Sequence, residues 1–231
     1  MPRVSRLISL FGMSLLTLAL TAFTVGCGQE HARVRIVHAS PDSGNVDVLF
    51  DGKVSLTNVP YATASDYLTV SAGTRRIEVR PTGSSNDVIN SNVSFSSHSD
   101  STVLAEGLAA SIAAVVLTDD NSDPASGKAK VRVVHAAPSA GTVDVYIVAP
   151  GTDITTVSPT LPSVAYQAAA AYLSVDPGTY EVVVTPAGNN TTIAIDVPNF
   201  TITAGQIRSA VALDAPGGGA PFQLLVLSDK N

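Results

Sequence analysis

Two stretches decide the fold: Ala32-Arg-Val-Arg-Ile-Val-His-Ala-Ser-Pro41 and Ala129-Lys-Val-Arg-Val-Val-His-Ala-Ala-Pro138. They are near copies, 97 residues apart. In the first, Val34, Ile36 and His38 alternate with Arg33, Arg35 and Val37. A period of two with β-branched residues is the mark of a strand, because successive side chains leave a strand on opposite faces. The same alternation recurs downstream. Val46-Asp-Val48 reappears as Val143-Asp-Val145, and Ile77 and Val79 alternate with Arg76, Glu78 and Arg80.

Further matches show that the whole unit is duplicated. Tyr67-Leu-Thr-Val70 corresponds to Tyr172-Leu-Ser-Val175, and Pro81-Thr-Gly83 to Pro186-Ala-Gly188. Val116-Leu-Thr-Asp119 corresponds to Val226-Leu-Ser-Asp229. The offset grows from 97 to 105 to 110, which puts insertions near Val148–Leu161 and in the Gly217–Gly219 loop. Loops absorb added length at little entropic cost. A unit near 100 residues can bury a core of its own, unlike a short solenoid repeat. The expected organisation is therefore two domains, 32–123 and 129–231. A linker at 124–128 overlaps the turn-rich stretch Ser122-Asp-Pro-Ala-Ser-Gly127. Short strands punctuated by Gly, Pro, Asn and Ser predict an all-β fold of two tandem antiparallel β-sandwiches. The Ala-rich pieces Leu108–Ala114 and Ala168–Ala171 have helical propensity, but the valines after the first favour sheet.

The first 26 residues read as an export signal. Arg3 and Arg6 precede an apolar run, Leu7 to Ala22, that is short for a membrane span. Thr24-Val-Gly-Cys27 resembles the lipobox of bacterial lipoproteins. That resemblance implies cleavage after Gly26, lipid attachment at Cys27 and a short tether over 27–31. Gly28 after the cysteine implies sorting to the outer membrane in such proteins. The alternative is plain secretion with Cys27 free. Removing Arg3 and Arg6 leaves 11 Lys+Arg against 19 Asp+Glu, a net charge of −8. The expected location is exported, in the cell envelope, with the membrane as a partner through the lipid anchor.

Composition narrows the chemistry. Charged residues make up 14% of the chain, where about 25% is usual. The negative balance argues against a nucleic-acid partner, which needs Lys and Arg against phosphate. One cysteine excludes a disulfide framework and a thiolate metal cluster. No cofactor or metal is expected.

The repeated motif Arg35, His38, Pro41 and Asp47, with Arg132, His135, Pro138 and Asp144, is the main candidate site. The chemical reading is a His–Asp acid–base pair, hence a hydrolase using His38 or His135. The structural reading is a clasp in which Arg35 and Asp47 pair across a hairpin while His38 bonds loop backbone before Pro41. Presence in both copies favours the clasp, since each domain must fold but only one needs to react. No G-x-S-x-G elbow accompanies the histidines. Asp119-Asp-Asn-Ser-Asp123 has calcium-like alternation, but Pro124 stands where an EF-hand needs glycine, so it reads as a solvated turn. Arg75, Arg76 and Arg80 read as a surface strand with Glu78 on the face of Arg76 and Arg80, or less simply as a grip for an anionic sugar. Tyr61, Tyr67, Tyr166 and Tyr172 read as core-rim residues with outward hydroxyls. Gly217–Gly219 reads as a flexible surface connection, and Val148–Leu161 as the loop best placed for specificity.

At Arg-Val-x-His-Ala-x-Pro, Val-Asp-Val and the Gly-Thr pairs at Gly73-Thr74 and Gly178-Thr179, the chain resembles the bacterial domain of unknown function 4397 family. The resemblance covers nearly all of 32–231 as two copies. It implies an immunoglobulin- or transthyretin-like sandwich and no established activity. The expected function is a non-catalytic, lipid-anchored envelope protein whose β-domains act as scaffold or adhesive module. Its ligand would be a protein or polysaccharide of the envelope. The alternative is a carbohydrate-binding module for envelope or matrix polysaccharide.

Overall fold

The computed structural model describes residues 30–230, and the export signal, the lipobox and Cys27 lie outside them. The first repeat contributes nine strands: β1 His31–Ala39, β2 Val46–Phe50, β3 Lys53–Val59, β4 Thr63–Ala64, β5 Leu68–Ser71, β6 Gly73–Pro81, β7 Ile89–Phe95, β8 Asp100–Glu106 and β9 Ala113–Asp119. The second contributes eight: β10 Ala129–His135, β11 Val143–Val148, β12 Leu161–Val164, β13 Leu173–Val175, β14 Gly178–Pro186, β15 Ile195–Ile202, β16 Ile207–Leu213 and β17 Gln223–Lys230. Neither Ala-rich piece is helical beyond a three-residue 3-10 turn at Ala109–Ser111.

Each repeat folds as two sheets. In the first, β4-β1-β8-β9, with β5 also on β1, faces β3-β2-β6-β7. In the second, β13-β10-β16-β17 faces β12-β11-β14-β15. Pairing is antiparallel except for β1 with β8 and β10 with β16. Those pairs are parallel because β8 and β16 arrive by crossover from β7 and β15 of the opposite sheet rather than by a hairpin from β1 or β10.

The valine alternation fills the two cores as expected. Val34, Ile36, Val48, Ile77 and Val79 meet inside the first sandwich, and Val131, Val133, Val145, Val182 and Val184 inside the second. The other face of the β1 sheet is also buried. Val37, Ala39 and Leu104 pack against Val134, Ala136, Val211, Leu213 and Leu227 in a third apolar cluster. The molecule is thus a stack of four sheets, with the two central sheets face to face. Sheets that bury both faces lose the simple apolar–polar alternation. Burying a side chain such as Val37 is worth about 1.5–3 kcal/mol, so this joint adds materially to both sandwiches.

Candidate functional site

The arginines, histidines and aspartates of the repeated motif do three separate jobs. β1 and β2 lie in different sheets, so Arg35 and Asp47 are not cross-strand neighbours, and the expected pair does not form. Arg35 instead points into the joint between the sandwiches. Its Nη2 donates to Asp229 Oδ1 at 2.6 Å and to Thr102 Oγ1 at 2.8 Å, and its Nη1 to the Ser228 carbonyl at 3.1 Å. Arg132 repeats this in the other direction. It donates to Asp119 Oδ1 at 2.6 Å, to Ser209 Oγ at 2.9 Å and to the Thr118 carbonyl at 3.2 Å.

Each aspartate is satisfied from both sides. Asp119 also accepts Thr102 Oγ1 and Tyr67 Oη, both at 2.6 Å. Asp229 accepts Ser209 Oγ at 2.5 Å and Tyr172 Oη at 2.8 Å. The Arg35 guanidinium lies 4.9 Å from the Tyr67 ring centre, and that of Arg132 lies 4.7 Å from Tyr172. Burial, followed by the Asp119 carboxylate, pushes the Tyr67 phenol well above its ordinary range. Burial and then Asp229 do the same to Tyr172. Two crossed ion pairs therefore tie the sandwiches together about a pseudo-two-fold axis. Buried charges persist only when every oxygen and N–H finds a partner, and here donors from both repeats supply them.

This geometry corrects several expectations. Asp119 is not part of a solvated turn; it is buried and its oxygens are taken. The following residues do lie in an exposed turn as expected, with Asp120 paired to Lys130 at 2.8 Å and Asp123 to Lys230 at 2.6 Å. The Lys130 hydrogen bond holds the Asp120 carboxyl down at about 2. Among the described residues no group of three or more His, Cys, Asp or Glu could hold a metal ion. Tyr67 and Tyr172 direct their hydroxyls into the joint rather than outward. So does Tyr61, which donates to the Asp214 carbonyl of the other sandwich at 2.8 Å. Burial and then the Asp214 charge push the Tyr61 phenol up to about 12.

The histidines lock loops. His38 Nδ1 accepts from the Ser40 amide at 3.4 Å, just before Pro41 as expected, and Nε2 donates to the Gly44 carbonyl at 2.7 Å, beyond it. His135 repeats both contacts, with the Gly141 carbonyl at 2.6 Å and the Ala137 amide at 3.3 Å. An acceptor at Nδ1 and a donor at Nε2 define one neutral tautomer. Burial lowers the pKa of both rings. Each ring also meets a tyrosine edge-on, His38 with Tyr61 and His135 with Tyr166. Pro138 opens the turn that closes from Ala140 N–H to the Ala137 carbonyl, and Pro41 occupies the matching place. Proline suits that position because its φ is preset.

The aspartates pin bulges. Asp47 Oδ1 accepts the Asn58 amide at 2.7 Å and Thr82 Oγ1 at 3.0 Å. Asp144 accepts the Ser163 amide at 2.7 Å and the Gly188 amide at 2.8 Å. Asn58 and Ser163 have φ of 53° and 52°, and pairing shifts register opposite each aspartate. A bulge leaves an amide unpaired, and the Val-Asp-Val carboxylate takes it up. His38 and Asp47 therefore share no hydrogen bond and form no acid–base pair.

Two loops pack closely on the fold, and one of them, Gly217–Gly219, is not the flexible connection expected. Val148–Leu161 is folded down onto its sheet, with Ile154 buried against Tyr146 and Val183. The Gly217–Gly219 loop is tied across the joint. The Gly217 amide donates to the Pro41 carbonyl at 2.8 Å and the Gly219 amide to Asp214 Oδ2 at 2.9 Å. The arginines of β6 meet carboxylates: Arg75 with Asp51, Arg76 with Glu78 and Arg80 with Asp87. Three open grooves follow the seam. One of ≈590 Å³ lies beside Asp100, Asn121 and Lys230. A related pair of ≈430 and ≈300 Å³ lies above Arg35 and Arg132.

The residues sequence reasoning missed are Asp119, Asp229, Thr102 and Ser209. The aspartates were visible as a repeated pair, and Thr102 and Ser209 are related only through strand register. Fold and site together define a tandem-repeat β-sandwich protein whose duplicated polar residues build its own joint. The chain belongs to the family described as Domain of unknown function (DUF4397), whose model matches residues 32–146 and 148–231. No curated protein matches it. Among solved structures it is similar to the CBM26-family module CBMbc of Eubacterium rectale Amy13K, determined with maltoheptaose. That match has 9% identity and a TM-score of 0.28, covering 87% of this chain and 98% of that one. It is also similar to a proposed cell adhesion protein from Bacteroides fragilis, at 11% identity and a TM-score of 0.19, covering 86% and 98%. A proposed adhesin from Bacteroides ovatus matches at 9% and 0.24, covering 87% and 94%.

Proposed function

We propose that this protein is a non-catalytic, lipid-anchored module of the cell envelope, exported and held at the outer membrane through Cys27. Its two sandwiches act as one rigid scaffold or adhesive unit. The observation that supports this best is the fate of the duplicated polar residues. Arg35, Arg132, His38, His135, Asp47 and Asp144 all have their hydrogen-bonding groups engaged in holding the fold. A group that must move a proton or attack a substrate needs access and a poised partner. The arginines and histidines are buried, and none of the six has a poised partner. Three acyl chains at Cys27, at about 0.8 kcal/mol per buried CH₂, would make the tether effectively permanent.

The test has two arms. Radiolabelled palmitate should enter the wild-type chain and not the Cys27→Ser variant, and labelling of both or neither would refute the anchor. The ectodomain, immobilised through its N-terminus, should retain an envelope protein or polysaccharide from solubilised envelopes. It should do so equally when His38 and His135 are replaced by Gln in a variant that melts cooperatively. Loss of a measurable turnover activity in that folded variant would refute the non-catalytic reading.

A further inference from the structure

The pseudo-two-fold joint is broken at one place. Thr102, Leu104 and Glu106 leave β8 on the face that meets the second sandwich, as Ser209, Val211 and Leu213 leave β16. The pairs Thr102/Ser209 and Leu104/Val211 are conservative. At the third position the second repeat has Leu213, which packs into the joint's apolar cluster, while the first has Glu106. Glu106 is 0% exposed, and neither Oε1 nor Oε2 has a hydrogen-bond partner. A buried carboxylate without partners is strongly disfavoured, so such a group holds its proton or opens its surroundings.

Its neighbours offer no cation. Across its own sheet it sits opposite Ala39 of β1 and Ala113 of β9. From the second sandwich it meets Gln167 and Tyr166, the one titratable group whose ionisation it opposes. Behind Tyr166 stand the neutral His135 ring and the Asp214 carboxylate. The two arginines of the joint are already taken, Arg35 by Asp229 and Arg132 by Asp119. We infer that Glu106 is a pH-sensitive latch on the joint between the sandwiches. With a proton on its carboxyl the apolar joint closes, and loss of that proton loosens it.

The electrostatics agree with the geometry. Burial pushes the Glu106 carboxyl from 4.5 up to about 7; the Gln167 side chain stands near enough to offset this in part, but makes no well-formed hydrogen bond to either oxygen. The folded chain then holds a proton that the unfolded chain has released. The joint is tight below about 4.5 to 5 and loses stability as pH rises through 7.

The experiment uses the intact chain in detergent. Infrared difference spectra at pH 6 should show the carbonyl band of a neutral carboxylic acid, absent from Glu106→Gln. Amide exchange, corrected for its intrinsic pH dependence, should rise at Val37–Ala39 and at Gln167–Ala169 between pH 5.5 and 8. Opening by an ionised, unpaired carboxylate should make the rise roughly tenfold or more. Glu106→Leu, which copies the second repeat, should abolish it, and Glu106→Gln should flatten it. An ionised carboxylate at pH 6, or the same rise in Glu106→Leu, would overturn the inference.

Discussion

Arg35 in the first sandwich and Asp229 in the second are joined by a 2.6 Å ion pair, and both are buried. Their mirror pair, Arg132 and Asp119, has the same length. Removing one partner of such a pair leaves a buried charge without its counter-ion. Arg35→Met should therefore cost about 3–5 kcal/mol. The double variant Arg35→Met, Asp229→Leu should recover a substantial part of that loss, because it removes both charges together. Urea unfolding of the four members of the cycle checks this.

The histidines set an acid limit. Both folded pKa values lie below the ordinary 6.5. The unfolded chain therefore takes up protons that the folded chain refuses as pH falls through 6.5. Their contribution is fully present above that pH and is lost below it. The Glu106 contribution has the opposite sign, falling as pH rises from 4.5 through 7. Melting temperature should pass through a maximum between these limits. In Glu106→Leu the alkaline fall should disappear while the acid fall remains. His38→Gln should weaken the acid fall and lower the melting temperature.

Asp47 and Asp144 support equivalent bulges in unequal surroundings. Asp144 is 7% exposed and accepts two backbone amides, whereas Asp47 is more open and accepts one amide and a hydroxyl. An amide left unsatisfied away from water costs about 1–3 kcal/mol. Asp144→Ala should approach that range and Asp47→Ala should fall below it. Chemical denaturation of the two variants side by side checks the order.

Gly219 meets Asp214 with its amide and has a φ of +77°. A side chain there is strained whatever the space around it. Gly219→Val should therefore raise exchange in the loop and at Tyr61, whose hydroxyl uses the Asp214 carbonyl. Hydrogen exchange by mass spectrometry reads both segments.

Much of the fold was legible because Val34, Ile36, Val131 and Val133 obey a two-residue period and the repeat is long enough to be a domain. The stacked joint was less legible. Val37 and Val134 stand at outward positions, and their apolar character was the available sign that a second face is covered. The candidate site was misread at Arg35, because proximity in sequence suggested Asp47 while the chain changes sheets between them. Asp119 and Asp229 repeat as clearly as His38 and His135. Their position at the end of each copy made them resemble turn residues, and only the facing of two sheets brings Arg132 and Arg35 to them. Glu106 carried no sequence signal, since Leu213 breaks the match.

The most direct test follows unfolding in urea by hydrogen exchange in each sandwich separately, at Ile77–Val79 and at Val182–Val184. In the wild-type chain both segments should lose protection in one coincident transition. In the Arg35→Ala, Arg132→Ala variant the transitions should separate and both move to lower urea. Two separate transitions in the wild type, or one unshifted transition in the variant, would show that the duplicated arginines do not hold the sandwiches as one body.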